Sequence, residues 1–187
     1  MQTYISILRG INVGGHRKIL MLDLKKLYEK LNFKDVVTYI QSGNVIFKTD
    51  AKNNNSALSK AIEKIIFETY NFQVPVIIRT VSEIEKIIFE NPFLNEENSD
   101  VERLHVTFLS EIPAKSEVQE ILKLDYSPDK FILNNKEIFI CCSNGYGNTK
   151  LSNPFFEKKL NIIATTRNWK TVMKLVELAN KKTASKK

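Results

Sequence analysis

Apolar positions along the chain follow two periods, and their order predicts the architecture. Residues 3–8 alternate as a strand, and Leu20, Leu24, Leu27, Tyr28 and Leu31 then recur at helical spacing. Residues 36–39 and 44–48 read as two short strands joined through Gln41-Ser42-Gly43. A polar stretch at 50–56 follows, with Ser56 expected to cap a helix that carries Leu58, Ile62, Ile65 and Ile66 on one face. "VPVIIRT" (74–80) closes a β-α-β-β-α-β unit, the ferredoxin-like split arrangement. Ser82 and Glu85 have the spacing of a capping box before a short helix with Ile84, Ile87 and Ile88 inward. Asn91-Pro92 ends it, because the residue before a proline avoids the α region.

After the charged loop 95–102 the pattern begins again. "RLHVTFL" is a strand, 114–124 a helix, and "KFIL" and "EIFICC" are strands about the turn Asn134-Asn135. Pro154 sits in the first turn of the next helix, and "NIIATT" is the last strand. Asn168 is placed to cap a final helix whose Val172, Leu175, Val176 and Ala179 face inward. The predicted fold class is therefore α+β: duplicated ferredoxin-like units, each followed by an extra helix. The expected domains are 1–94 and 101–182, with 183–187 as a disordered basic tail. In this reading the 41–44 hairpin lies at the end of its sheet where the first strand starts, away from the loop at 9–15.

Charge sharpens the picture at one end. The net charge is +7, yet residues 150–187 hold ten Lys/Arg and two acids, so that segment is +8 and residues 1–149 are about −1. A basic C-terminal third opens nucleic-acid binding as an alternative, with Trp169 and Tyr146 available for stacking. No apolar run approaches the ~18–20 residues of a membrane span. The N-terminus lacks the charged and apolar regions of a signal peptide. The two cysteines, Cys141 and Cys142, are adjacent in a strand, where side chains diverge. A disulfide between them is not expected, and a reducing cytoplasm is the compartment that suits them.

Candidate chemistry gathers at loops. "RGINVGG" (9–15) follows a strand and precedes a helix, but its glycine spacing is neither of the two nucleotide-binding fingerprints. Its logic is related: Gly10, Gly14 and Gly15 remove Cβ bulk so that backbone N–H groups can converge on an anion. Arg9 adds a guanidinium, Asn12 an amide, and His16 a further exposed donor. A tight turn explains the same glycines. Gln41, Ser42 and Asn44 are polar groups of the hairpin, and Arg79 ends the fourth strand. Gly145, Gly147 and Lys150 place flexible backbone and a cation between strand and helix. Thr166, Arg167, Asn168 and Trp169 crowd a helix N-terminus, where anions are favoured. No HExxH, CxxC or nucleophile elbow occurs, so no metal site, cofactor, base or nucleophile is assigned, and an enzyme of unidentified reaction is a weaker alternative to ligand binding. His105 reads as a partly buried strand residue.

The stretches "RGINVGG", "TYIQSGNVIF", "VPVIIRT", "NPF", "LHVTFL" and "ATTRNWKTVMKL", in this order, resemble a bacterial family of unknown function, DUF1697. The resemblance spans nearly the whole chain and implies a duplicated ferredoxin-like α+β fold. It implies no reaction, substrate or catalytic residue. This chain departs from its relatives at Asn148-Thr149, where Arg-Ser is common, which lowers the charge beside Lys150. Together these readings favour a protein that binds a small anionic or nucleotide-like ligand at polar strand-exit loops.

Overall fold

The structure, a computed structural model, describes residues 1–50, 54–95 and 100–184. Parts of the polar stretch at 50–56, of the boundary loop at 95–102 and of the basic tail lie outside the described residues. The chain divides into two compact units: Met1–Lys86 with the C-terminal segment from Lys174, and Ile87–Met173. No described helix is long and apolar enough to cross a membrane.

The first unit runs β1 (Gln2–Leu8), α1 (Met21–Lys30), β2 (Lys34–Tyr39), β3 (Asn44–Thr49), α2 (Asn55–Tyr70), β4 (Val76–Thr80) and the start of α3 (Val81–Phe89). Its sheet has the order β2-β3-β1-β4, and every pairing is antiparallel. Because β1 and β2 are both antiparallel to β3, they run the same way, and the last residues of β1 and β2 lie at the same end of the sheet. The β2–β3 hairpin therefore stands beside the loop leaving β1, and the expectation that the two lie at opposite ends is corrected. Leu8 N–H donates to Gly43 O at 2.8 Å across that corner.

Alternation along the strands sends Tyr4, Leu8, Val45, Phe47, Val76 and Ile78 to one face, where Leu24, Leu27 and Tyr28 of α1 and Leu58, Ile62 and Ile66 of α2 cover them. Four rings interlock there, with Phe47 stacked on Tyr4 and Phe33 and edge-on to Tyr28. The Tyr28 hydroxyl shares a 2.7 Å hydrogen bond with Ser6 Oγ, which satisfies both buried groups; burial pushes the phenol pKa well above its usual value. On β2 a register shift between Lys34 and Val37 puts Asp35 in the left-handed region (φ 52°), with its carboxylate 3.0 Å from Lys48 Nζ.

Two caps differ from expectation. The α2 cap is Asn54, whose Oδ1 accepts from Ala57 N–H at 2.9 Å, because the helix begins one residue before Ser56. The capping box of α3 is Thr80 with Glu83: Glu83 N–H donates to Thr80 Oγ1 (3.2 Å) and Thr80 N–H to Glu83 Oε2 (2.7 Å). The strand passes into α3 without a loop, so the box sits two residues before the Ser82–Glu85 pair.

The second unit repeats the plan with β5 (Leu104–Leu109), α4 (Lys115–Leu122), β6 (Lys130–Asn134), β7 (Glu137–Cys141), α5 (Asn153–Leu160), β8 (Ala164–Asn168) and the start of α6 (Trp169–Ala184). Its sheet order, β6-β7-β5-β8, is the same. Leu109, Ile138, Ile140, Cys142 and Ala164 pack with Ile121, Phe156 and Leu160. The repetition holds bond for bond. Leu109 N–H donates to Lys136 O at 2.8 Å, as Leu8 does to Gly43, and Ser110 N–H donates to Ile163 O at 3.0 Å, as Arg9 does to Pro75 at 2.8 Å. Asn168 caps α6 by accepting from Thr171 N–H at 2.8 Å, as its position implies.

Candidate functional site

The corner of the first unit is built around Asn12. The residue takes a left-handed backbone (φ 56°), which asparagine tolerates better than most. Its carboxamide spans three chain segments: Oδ1 accepts from Ile19 N–H (2.9 Å), and Nδ2 donates to Ile19 O (3.0 Å) and Gln41 O (2.9 Å). One side chain thus ties the β1-exit loop to the entry of α1 and to the β2–β3 hairpin. This amide is occupied by backbone groups, so Asn12 shapes the loop. Asn44 does the same for the hairpin: it is fully buried, and its Nδ2 donates to Tyr39 O and Ser42 Oγ.

Gly43 completes the contact. Its φ is +77°, and a Cβ there would lie 2.6 Å from Ile11 Cδ1 and 2.9 Å from Leu8 Cβ, so only glycine lets the hairpin approach. Gly15 differs: its φ is +78°, but a Cβ would meet nothing within 4 Å, and backbone conformation alone explains the residue. The loop it shapes is open to solvent on that side.

This latch gathers two kinds of exposed side chain. Val13, Leu20 and Ile40 each adjoin one of the residues that Asn12 joins, and they are 65%, 71% and 45% exposed. Ile40 holds φ 50°, a strained conformation for a β-branched residue, of the order of 1–3 kcal/mol. His16, Arg17 and Lys18 are exposed between Val13 and Ile19, and none has an acidic partner among the described residues. The Arg17 guanidinium lies over the loop, with Nη1 3.5 Å from where a Gly10 Cβ would be. Arg9 is half-buried at the strand exit, Gln41 is exposed, and Gly14 holds φ 58°. Arg9, Gly10, Asn12, Gly14, Gly15, Gln41, Ser42 and Asn44 are therefore brought together.

Arg79 does not join them. It lies on β4 opposite Ile5, four residues before Arg9 along β1, or roughly 13 Å at ~3.3 Å per residue. It is 4% exposed, and its Nη1 donates to Ile78 O at 3.0 Å. Arg167 is its counterpart in the second unit: it lies on β8 opposite Val106, is 8% exposed, and donates from Nη1 to Thr166 O (2.8 Å) and Thr165 Oγ1 (3.0 Å). Thr166 Oγ1 bonds to Thr107 Oγ1 (2.6 Å) and Asn153 Oδ1 (2.7 Å), and Trp169 is buried. The polar pentapeptide at 165–169 thus has local structural contacts for each member, the Asn168 cap included. Lys150 is exposed beyond β7. Its charge adds to the downward pull on the Asp125 carboxyl, which comes mainly from two hydrogen bonds with Ser127.

Burial shifts the titration of Cys142 and His105 in the second unit. Burial pushes the Cys142 thiol up to about 11, with the charge of Asp129 adding to it, which disfavours the thiolate, and neither cysteine is in a disulfide. His105 stacks on Tyr146 at 4.8 Å between centroids, its Nδ1 facing Arg103 O at 3.1 Å, and desolvation holds its pKa below the usual value. No group of three His, Cys, Asp or Glu able to hold a metal occurs among the described residues. The basic helix α6 is partly self-neutralised: Lys170 pairs with Glu102, and Lys174 and Lys181 both pair with Glu177, whose carboxyl those hydrogen bonds draw down to about 2. What sequence reasoning missed is the triplet His16-Arg17-Lys18 as a unit and its apolar neighbours. The triplet is visible as three bases with no acid before Asp23.

A family model described as a protein of unknown function, DUF1697, matches residues 1–139. A solved structure of the conserved bacterial protein SP0830 from Streptococcus pneumoniae is similar over 95% of this chain and 98% of that one, with a TM-score of 0.75 and 24% identity, a likeness of fold. No curated protein matches the chain.

Proposed function

The chain belongs to the DUF1697 family of proteins of unknown function, and from its geometry we propose that it binds a small phosphate-bearing, nucleotide-like ligand at the corner of the first unit, in the cytoplasm. The observation that carries this reading is the Asn12 latch, which gathers cations with no acidic partner among the described residues and exposed apolar side chains at one preformed corner. Arg17 and Lys18 supply charge to the phosphate, and Arg17 adds the forked geometry that suits it. The left-handed backbone at Gly14 and Gly15 lets main-chain N–H groups approach the same anion. Val13, Leu20 and Ile40 offer an apolar surface to the ligand's flat or hydrocarbon part.

Thermal unfolding in the presence of nucleotides, sugar phosphates and inorganic phosphate tests it. A rise in Tm with one phosphate ester, absent in Arg17→Ala and Lys18→Ala, is the expected result. A flat response to all of them at millimolar concentration overturns the proposal. Tight binding of single-stranded RNA, with affinity falling steeply between low and high salt, would also overturn it and assign the cations to a nucleic acid backbone.

A further inference from the structure

The corner of the second unit that corresponds to the site above is built differently. Between β1 and α1 the chain spends twelve residues, 9–20; between β5 and α4 it spends five, 110–114. The short connection leaves a cavity of about 310 Å³ between the start of α4 and the β6–β7 hairpin. That is the lower end of the ~300–1,000 Å³ range of small-molecule sites. Ile112, Val118 and Leu133 wall it, and Lys115, Gln119 and Asn135 stand among them. Ile112 is 61% exposed beside this apolar wall, so occupation of the cavity would remove it from water. No acidic side chain lines the cavity, and Lys115 has no acidic partner among the described residues.

We propose that this cavity is a second binding site, for a small amphiphilic monocarboxylate. The hydrocarbon part lies against Ile112, Val118 and Leu133, and the carboxylate accepts from the Lys115 ammonium and from the side-chain amides of Gln119 and Asn135. A single cation balances a single negative charge, and the apolar wall favours a hydrocarbon body over a hydrated one. The assignment is independent of the first corner, which gathers three bases and takes a phosphate. Binding in one unit leaves the other reading untouched.

Octanoate is the probe, with octylamine and octanol as controls, followed by amide resonances of the full chain. Octanoate should shift residues 112–119 and 133–135 in a saturable way. Lys115→Ala should weaken it about tenfold or more, the usual worth of a charge-assisted hydrogen bond. Octylamine should bind more weakly than octanoate by at least that factor. Ile112→Asp, at an exposed position, should abolish binding while leaving the remaining resonances in place, and Val118→Glu should agree with it if it folds. Three results overturn the proposal: no shift at these residues with millimolar octanoate, equal binding of octylamine, or affinity unchanged in Lys115→Ala. Shifts at the same residues on raising protein concentration alone would give the groove to a second copy of the chain and overturn it too.

Discussion

The two units place the same corner on the same frame and finish it in opposite ways. In both, the last residue of the first strand donates to the hairpin and the next residue donates to the connection before the fourth strand. Beyond that point the loops part. Four residues past the strand the first unit has Asn12, left-handed and hydrogen-bonded three times; the second has Pro113, whose ring fixes φ near −65°. One corner is a latched, cationic, glycine-bearing loop, and the other is a short apolar ledge over a cavity. The sheet scaffold sets where a site can form, and the loop sets its chemistry.

The hairpins offer the largest test of that contrast. Gly43→Ala must hold an unfavourable φ and push into Ile11 and Leu8, for a loss of about 3 kcal/mol from strain and overpacking together. The matching change in the second unit, Lys136→Ala, is at an exposed position and should cost at most ~0.5 kcal/mol. Urea unfolding of both variants measures the difference, and equal losses would break the comparison. Asn12→Ala comes next, at about 2–3 kcal/mol for three hydrogen bonds and the lost tolerance of a left-handed backbone. Asn12→Gly separates the two contributions. It keeps the backbone freedom, so its deficit in the same assay reports the latch alone.

How much of this the sequence discloses depends on distance along the chain. The duplicated β-α-β-β-α-β order is legible because each element carries its own period, as in Leu20, Leu24, Leu27 and Tyr28 or in 104–109. Caps are legible only to within a residue or two, because Asn54 competes with Ser56 and Thr80 with Ser82 for the same role. The latch is not legible, since Asn12 meets partners seven and twenty-nine residues away, and its use of Gln41 O depends on the direction in which β2 runs. Arg79 and Arg167 read as ligand groups because arginine at a strand end is usually exposed. The structure buries both, each bonded to the carbonyl of the preceding residue.

A pH-dependent contrast separates the two sheets themselves. The register places Tyr4 opposite Thr80 and His105 opposite Asn168, so the two rings occupy matching positions. The second sheet thus carries at this position an imidazole, the side chain whose ordinary pKa lies between pH 5 and 8. Desolvation lowers the folded-state pKa of His105 below its ordinary 6.5, so the unfolded chain binds more protons in that window. Stability should therefore fall as the pH drops below about 6.5. His105→Gln should remove that part of the decline when urea midpoints at pH 7.5 and 5.0 are compared. An unchanged pH slope would show that the His105–Tyr146 stack accommodates the imidazolium.

Arg17 joins a small expected effect on stability to a large one on binding. Arg17 is exposed and has no acidic partner among the described residues, so Arg17→Ala should leave the unfolding free energy from urea titration within ~0.5 kcal/mol of the parent. The same change removes the guanidinium fork that lies over the loop, and phosphate-ester binding should weaken about tenfold or more. Lys115→Ala should show the mirror image: unaltered phosphate binding, and loss of the carboxylate in the other unit. If either substitution weakened both ligands, the corners would share one site, and the division of chemistry between two loops on a common frame would fail.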